Sequence, residues 1–210
     1  MQTLEDFIAS QLLRVKAIKL QPANPFTWGT GWLSPIYCDN RKVLSYPKTR
    51  NVIKIELARL IAELYPEAEV IAGVATNAIA MSTLVANDLG LPLVYVHPTP
   101  KDHGFENMIE GDLRPRQNVV IVEDQISVGI NSQKVADAIR RNGCKVLGIV
   151  TIFNYSMEET AKRFEANGVP IVSLTNFDAV IKKAVETRYI NKSDVATLRA
   201  WQKDPENWKK

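Results

Sequence analysis

Five apolar runs punctuate the chain, at residues 70–74, 93–96, 119–122, 146–153 and 171–174, and helix-length segments separate them. The runs are continuous in apolar residues rather than alternating, as strands are when helices cover both faces of a parallel sheet. Gly90, Gly143 and Gly168 each follow a helical pattern and precede an apolar run, the place of a glycine that ends a helix. Strand then helix, repeated, predicts an α/β fold built on a doubly wound parallel sheet. A helix from Thr3 to about Lys16 and tail helices over about 177–186 and 193–201 extend it.

Two segments break the rhythm. FTWGTGWLSPIYCDN (26–40) combines aromatic residues, two glycines and a proline, and reads either as a short hairpin or hood over a site, or as edge-strand packing, since aromatic rings mostly contribute buried area. HPTPKDHGFENMIEG (97–111) has no periodicity, and a loop of that length is usually functional or disordered. A solvated charged loop is the ordinary alternative for its Lys101, Asp102, His103 and Glu106.

Composition narrows the class. With 210 residues, 46% hydrophobic and 23% charged, the chain has the balance of an ordinary globular protein, here one compact domain with a small extension. A net charge of +3 is too small and dispersed for a nucleic-acid footprint, so no nucleic-acid partner is expected, while anionic small molecules stay compatible. The first residues carry Glu5 and Asp6 where a secretory signal has Lys or Arg. No apolar run approaches the roughly 18 residues of a membrane span, so the expectation is a cytoplasmic protein with no membrane partner. Cys38 and Cys144 lack CxxC spacing, which implies neither a disulfide framework nor a zinc site, and both read as inert small hydrophobes.

In a doubly wound sheet ligands bind beyond the carboxyl ends of the strands. After 119–122 come Glu123 and Asp124, then Gln125-Ile126-Ser127-Val128-Gly129-Ile130-Asn131-Ser132 leading into a helix. Adjacent carboxylates there accept hydrogen bonds from sugar hydroxyls or hold Mg²⁺, and the helix start offers an anion site. The plainer reading is that Ser127 or Asp124 caps the helix. Small residues, Ala75-Thr76-Asn77-Ala78, follow the run at 70–74 and suit either close ligand approach or tight helix packing. Gly29-Thr30-Gly31 lacks the third glycine and preceding strand of a dinucleotide fingerprint. Arg140 and Arg141 fit the end of a helix, and Lys182-Lys183 reads as a solvated face.

Taken together, LQPANPFTWGTGWLSPIYCDNRK (20–42), PEAEVIAGVAT (66–76), PKDHGFENMIEG (100–111), VVIVEDQIS (119–127), GCKVLGIVTIFNY (143–155) and LRAWQKDPENW (198–208) resemble the orotate phosphoribosyltransferase family. The resemblance implies a type I phosphoribosyltransferase fold over 1–210, with an N-terminal hood at about 1–45 and a helical tail at about 176–210. It implies transfer of phosphoribose from 5-phosphoribosyl 1-pyrophosphate (PRPP) to orotate in pyrimidine biosynthesis, by a homodimer whose mobile loop reaches the neighbour's site. By that analogy Lys101, His103 and Asp124 are catalytic, with Lys101 facing the pyrophosphate. Glu123, Asp124, Ser127, Gly129, Ser132 and Thr76 would bind PRPP. Tyr37 and Cys38, through backbone amides, and Ser127 would meet orotate. Mg²⁺ would be held mainly by PRPP itself, with no residue assigned as a dedicated metal ligand.

The chain departs from the family at four places, one of them in the hood, where Gly29-Thr30 stands in place of a residue followed by serine. Its phosphate turn reads Ser127-Val128-Gly129-Ile130-Asn131 where hydroxyl and small residues are usual. Its pyrophosphate turn has Asn77. His97-Pro98-Thr99 stands where an arginine and a lysine are usual. Three readings follow: a working orotate phosphoribosyltransferase, a noncatalytic paralogue that binds or regulates, and a transferase for another base.

Overall fold

The computed structural model describes residues 3–29, 31–99 and 108–209. Helix α1 (Leu4–Arg14) begins where the Thr3 hydroxyl accepts the Asp6 N–H, an N-cap that satisfies one of the helix's orphan donors. Four short strands follow: β1 (Ile18–Leu20), β2 (Phe26–Thr27), β3 (Leu33–Ser34) and β4 (Ile36–Cys38). β2 and β3 form one antiparallel pair, and β1 and β4 another, so 26–40 holds a hairpin rather than an edge strand of the main sheet. A 3₁₀ segment (Asn40–Ser45) leads into α2 (Pro47–Leu64), whose first-turn proline suits a position with no N–H to satisfy.

The main sheet comprises β5 (Val70–Val74), β6 (Leu93–Val96), β7 (Ile109–Glu110), β8 (Asn118–Ile126), β9 (Lys145–Asn154) and β10 (Ile171–Asn176), in the spatial order β10-β9-β8-β5-β6-β7. The helices α3 (Ile79–Leu89), α4 (Ile130–Arg141), α5 (Glu158–Ala166), α6 (Phe177–Glu186) and α7 (Asp194–Lys203) complete the chain. All neighbouring strands run parallel except β7, which pairs antiparallel with β6. Two cores confirm the double winding. Val120 and Val122 join Ile8, Ile53 and Val85 on one face, while Val119 and Ile121 join Val135, Ile139 and Phe164 on the other. Neighbouring residues of one apolar strand thus feed opposite layers.

Several expectations are corrected. The segment 97–111 is not irregular throughout: Ile109–Glu110 is an edge strand, and the His97 N–H reaches the Met108 carbonyl. β8 does not stop at Val122 but runs to Ile126, because the ten-residue β9 pairs Glu123 with Thr151 and Gln125 with Phe153. Lys182 and Lys183 are not merely solvated. Lys182 Nζ lies 2.6 Å and Lys183 Nζ 3.8 Å from the buried Asp6 carboxylate, tying α1 to α6; the hydrogen bond from Lys182 holds Asp6 below the ordinary carboxylate range.

Candidate active site

The order of strands reverses around β5, with β6 on one side and β8 on the other. The carboxyl ends of β5 and β8 therefore flank the crevice where open α/β sheets take ligands. A cleft of ≈ 660 Å³ lies there, walled by the end of β8 and the turn after it, by the turn after β5, and by the hood strands.

Glu123 and Asp124 stand at its floor, 6% and 4% exposed. The Ser132 hydroxyl donates to Glu123 Oε2 at 2.9 Å, and the Asp124 N–H to Glu123 Oε1 at 3.2 Å, leaving Asp124 Oδ2 buried without a partner. Burial, reinforced by the adjacent charge of Asp124, pushes Glu123 well above the carboxylate range; burial also raises Asp124 to about 6. Two desolvated carboxylates with an idle acceptor suit hydroxyl donors or a cation. Ser132, expected to meet PRPP, has its hydroxyl committed to Glu123, so any phosphate contact falls to its main chain.

The turn after β8 is shaped from behind by α5. Thr160 Oγ1 donates to the Ser127 carbonyl at 2.6 Å, and Arg163 donates to the Val128 carbonyl. Gly129 has φ +72°, and a Cβ there would lie 2.4 Å from the Phe164 ring, so this position needs glycine both for its left-handed backbone and for the ring beneath it. Gly129 is the N-cap of α4, with no side-chain cap. Neither Ser127 nor Asp124 serves as the cap, which overturns the plainer reading. The first N–H groups of α4 have no intrahelical acceptor, and they remain an anion site although the turn lacks hydroxyls. Ile130, 48% exposed, lines the cleft.

On the opposite wall Thr76 and Asn77 are exposed in the turn after β5, where the Ala75–Thr76 peptide is cis. Arg41 lines the cleft, pairs with Asp39 at 2.7 Å and reaches within 3.5 Å of Asn77 Oδ1. Above lie Trp28, Tyr37 and Cys38 of the hood. The bonds Asp39 N–H to Ala17 and Gln21 N–H to Pro35, with Tyr37 opposite Lys19, put Tyr37 at a hydrogen-bonded position of the ladder. Its amide is therefore consumed by β1, a correction to the expectation that it faces a ligand; Cys38 falls at the alternate position. The Cys38 thiol is pushed well up by burial and stays protonated.

Sequence reasoning missed three residues that line this cleft: Arg41, Gln125 and Tyr155. Arg41 lay within a quoted stretch, CDNRK, without a role. Gln125 and Tyr155 also stood in quoted stretches without roles; Gln125 falls inside β8, which outruns its apolar run, and Tyr155 directly follows β9. Ser127 and Gly129 also line it, with Tyr37, Cys38 and Thr76. Lys101 and His103 lie outside the described residues.

Residues 48–184, which carry the switch-point cleft, its acidic pair and the glycine turn, match the phosphoribosyl transferase domain. The chain is 55% identical over 208 residues to the orotate phosphoribosyltransferase of Bacteroides thetaiotaomicron, covering 99% of this chain and 98% of that one. The Porphyromonas gingivalis protein of the same name is also 55% identical, with 99% of both chains covered. The chain belongs to the orotate phosphoribosyltransferase family. In fold it is similar to orotate phosphoribosyltransferase from Aeropyrum pernix, with a TM-score of 0.75 and 24% identity over 88% of this chain and 99% of that one. It is also similar to Leishmania donovani UMP synthase, with a TM-score of 0.79 and 23% identity over 96% of this chain, which spans 42% of that protein.

Proposed function

We propose that the chain transfers the phosphoribosyl group of PRPP to orotate, forming orotidine 5′-monophosphate and pyrophosphate. Full-length identity to relatives bearing that name, joined to a buried acidic pair at the switch point, carries this reading. The noncatalytic and other-base alternatives gain nothing from those relatives. Glu123 and Asp124 accept the ribose hydroxyls, with Asp124 Oδ2 the idle acceptor. The uncapped start of α4 receives the 5′-phosphate, and the turn at 75–78 faces the pyrophosphate. The hood covers the base and excludes water from the carbon under attack, while Arg41 offsets the anionic charge of the substrates. Lys101, with His103 on the same segment, supplies positive charge to the leaving pyrophosphate, from the neighbouring copy of a homodimer.

Among the described residues no group of three or more His, Cys, Asp or Glu is placed to hold a metal ion. The donor set instead fits Mg²⁺ carried in by PRPP, with Glu123 and Asp124 as its two protein carboxylates, directly or through water. Bound there, the ion would neutralise the pyrophosphate. Among the described residues no helix is long and apolar enough to cross a membrane. Isothermal calorimetry tests the substrate assignment: PRPP with Mg²⁺ should bind to the unaltered protein and lose affinity in Asp124→Asn. Equal affinity in both proteins would remove the acidic pair from the PRPP site.

A further inference from the structure

Two side-chain amides tie the hood to the strand that carries the acidic pair, and they run in opposite directions. Asn40 Nδ2, on a residue only 2% exposed, donates to the main-chain carbonyl of Asp124 at 2.6 Å. Gln125 Nε2 donates to the main-chain carbonyl of Cys38 at 3.2 Å. One bond reaches from just after β4 to β8, and the other returns from β8 to β4. Their main-chain partners are residues of interest in themselves: Cys38 on the base side, Asp124 on the ribose side.

The amide orientations follow from these partners. Both acceptors are carbonyls, so only the NH₂ end of each amide makes the bond, and each oxygen is left over. Asn40 Oδ1 and Gln125 Oε1 are indeed buried with no partner. A position selected for stability alone is served better by an apolar side chain than by a buried amide with an idle oxygen. Two such amides at one junction point to the geometry they impose.

We propose that Asn40 and Gln125 are positioning residues that fix the height of the hood above the end of β8, and so the distance between the bound base and the ribose carbon it attacks. This rests on the phosphoribosyl transfer proposed above. Neither residue need touch substrate. Each acts through a main-chain atom, of Asp124 or of Cys38, and both spans must hold for the two half-sites to keep register.

Kinetics and binding on Gln125→Met, Asn40→Ala and the double variant test this. With each variant folded, kcat should fall between about tenfold and a hundredfold, since small misplacements of reacting groups cost that much. The affinities of orotate and of PRPP, measured separately by calorimetry, should stay within about threefold, because each half-site remains intact. The double variant should lose more than the product of the single losses, as either bond partly holds the hood when the other is gone. In hydrogen exchange the amides of 18–38 should lose protection while those of α1 and α6 keep theirs, which a general loss of stability would not produce. Variants with unchanged kcat, or with substrate affinities that fall in step with kcat, overturn the positioning role. Absence of turnover in the unaltered protein overturns the proposed function and this role with it, whereas turnover that survives in the variants overturns this role alone.

Discussion

Asp124 is the residue where function and stability conflict most openly. Its carboxyl is buried, its Oδ2 lacks a partner, and its pKa is raised from 3.8 to about 6. An acid whose folded value lies above its unfolded value costs stability as pH rises through that window, and the cost is complete above it. Between 3.8 and about 6 the difference corresponds to about 3 kcal/mol. Asp124→Asn should therefore raise the thermal midpoint of the ligand-free protein at pH 7.5, raise it little at pH 4, and abolish turnover. Melting curves at the two pH values check this; equal shifts at both would mean that ionisation is not the source. Gly129 is fixed more simply. Gly129→Ala would drive a Cβ to 2.4 Å from the Phe164 ring on a left-handed backbone, so the variant should lose PRPP affinity and melt lower.

Among the elements, α5 supports the phosphate turn without facing the cleft. Thr160→Val removes the hydroxyl that holds the Ser127 carbonyl. It should weaken PRPP binding by an amount set by one buried bond, about 1 kcal/mol, with orotate affinity unchanged; calorimetry separates the two. The tail helix has the corresponding role for the hood. Trp201 is fully buried, donates Nε1–H to the Leu33 carbonyl at 3.1 Å, and packs edge-on against Trp28 and Tyr155. Trp201→Ala should cost about 3 to 5 kcal/mol in denaturant unfolding and weaken orotate more than PRPP. The regular elements were legible because their apolar runs and terminal glycines are local signals: 70–74, 93–96 and 177–186 coincide with β5, β6 and α6. The end of β8 was not, because Glu123, Asp124 and Gln125 are polar residues held in a strand by a long-range partner. Apolar periodicity cannot register that pairing, and so it gives Gln125 no role. The bond between Lys182 and Asp6 was invisible for the same reason, since it joins residues at opposite ends of the chain.

At the scale of the whole molecule, the double winding followed from continuous apolar strands, while the antiparallel β7 did not, being two residues long. The acidic pair and the turn after it were found from sequence; their support by α5, Asn40 and the tail was not, because it depends on tertiary packing. The proposed homodimer should appear as a two-chain species by sedimentation. Turnover of orotate and PRPP by the purified chain with Mg²⁺, following orotidine 5′-monophosphate and pyrophosphate together, tests the phosphoribosyl transfer itself. The unaltered protein should form both products in equal amounts, and Asp124→Asn should form neither. A folded, unaltered chain that binds both substrates yet forms no product, or that forms product equally well with Asn at 124, would contradict it.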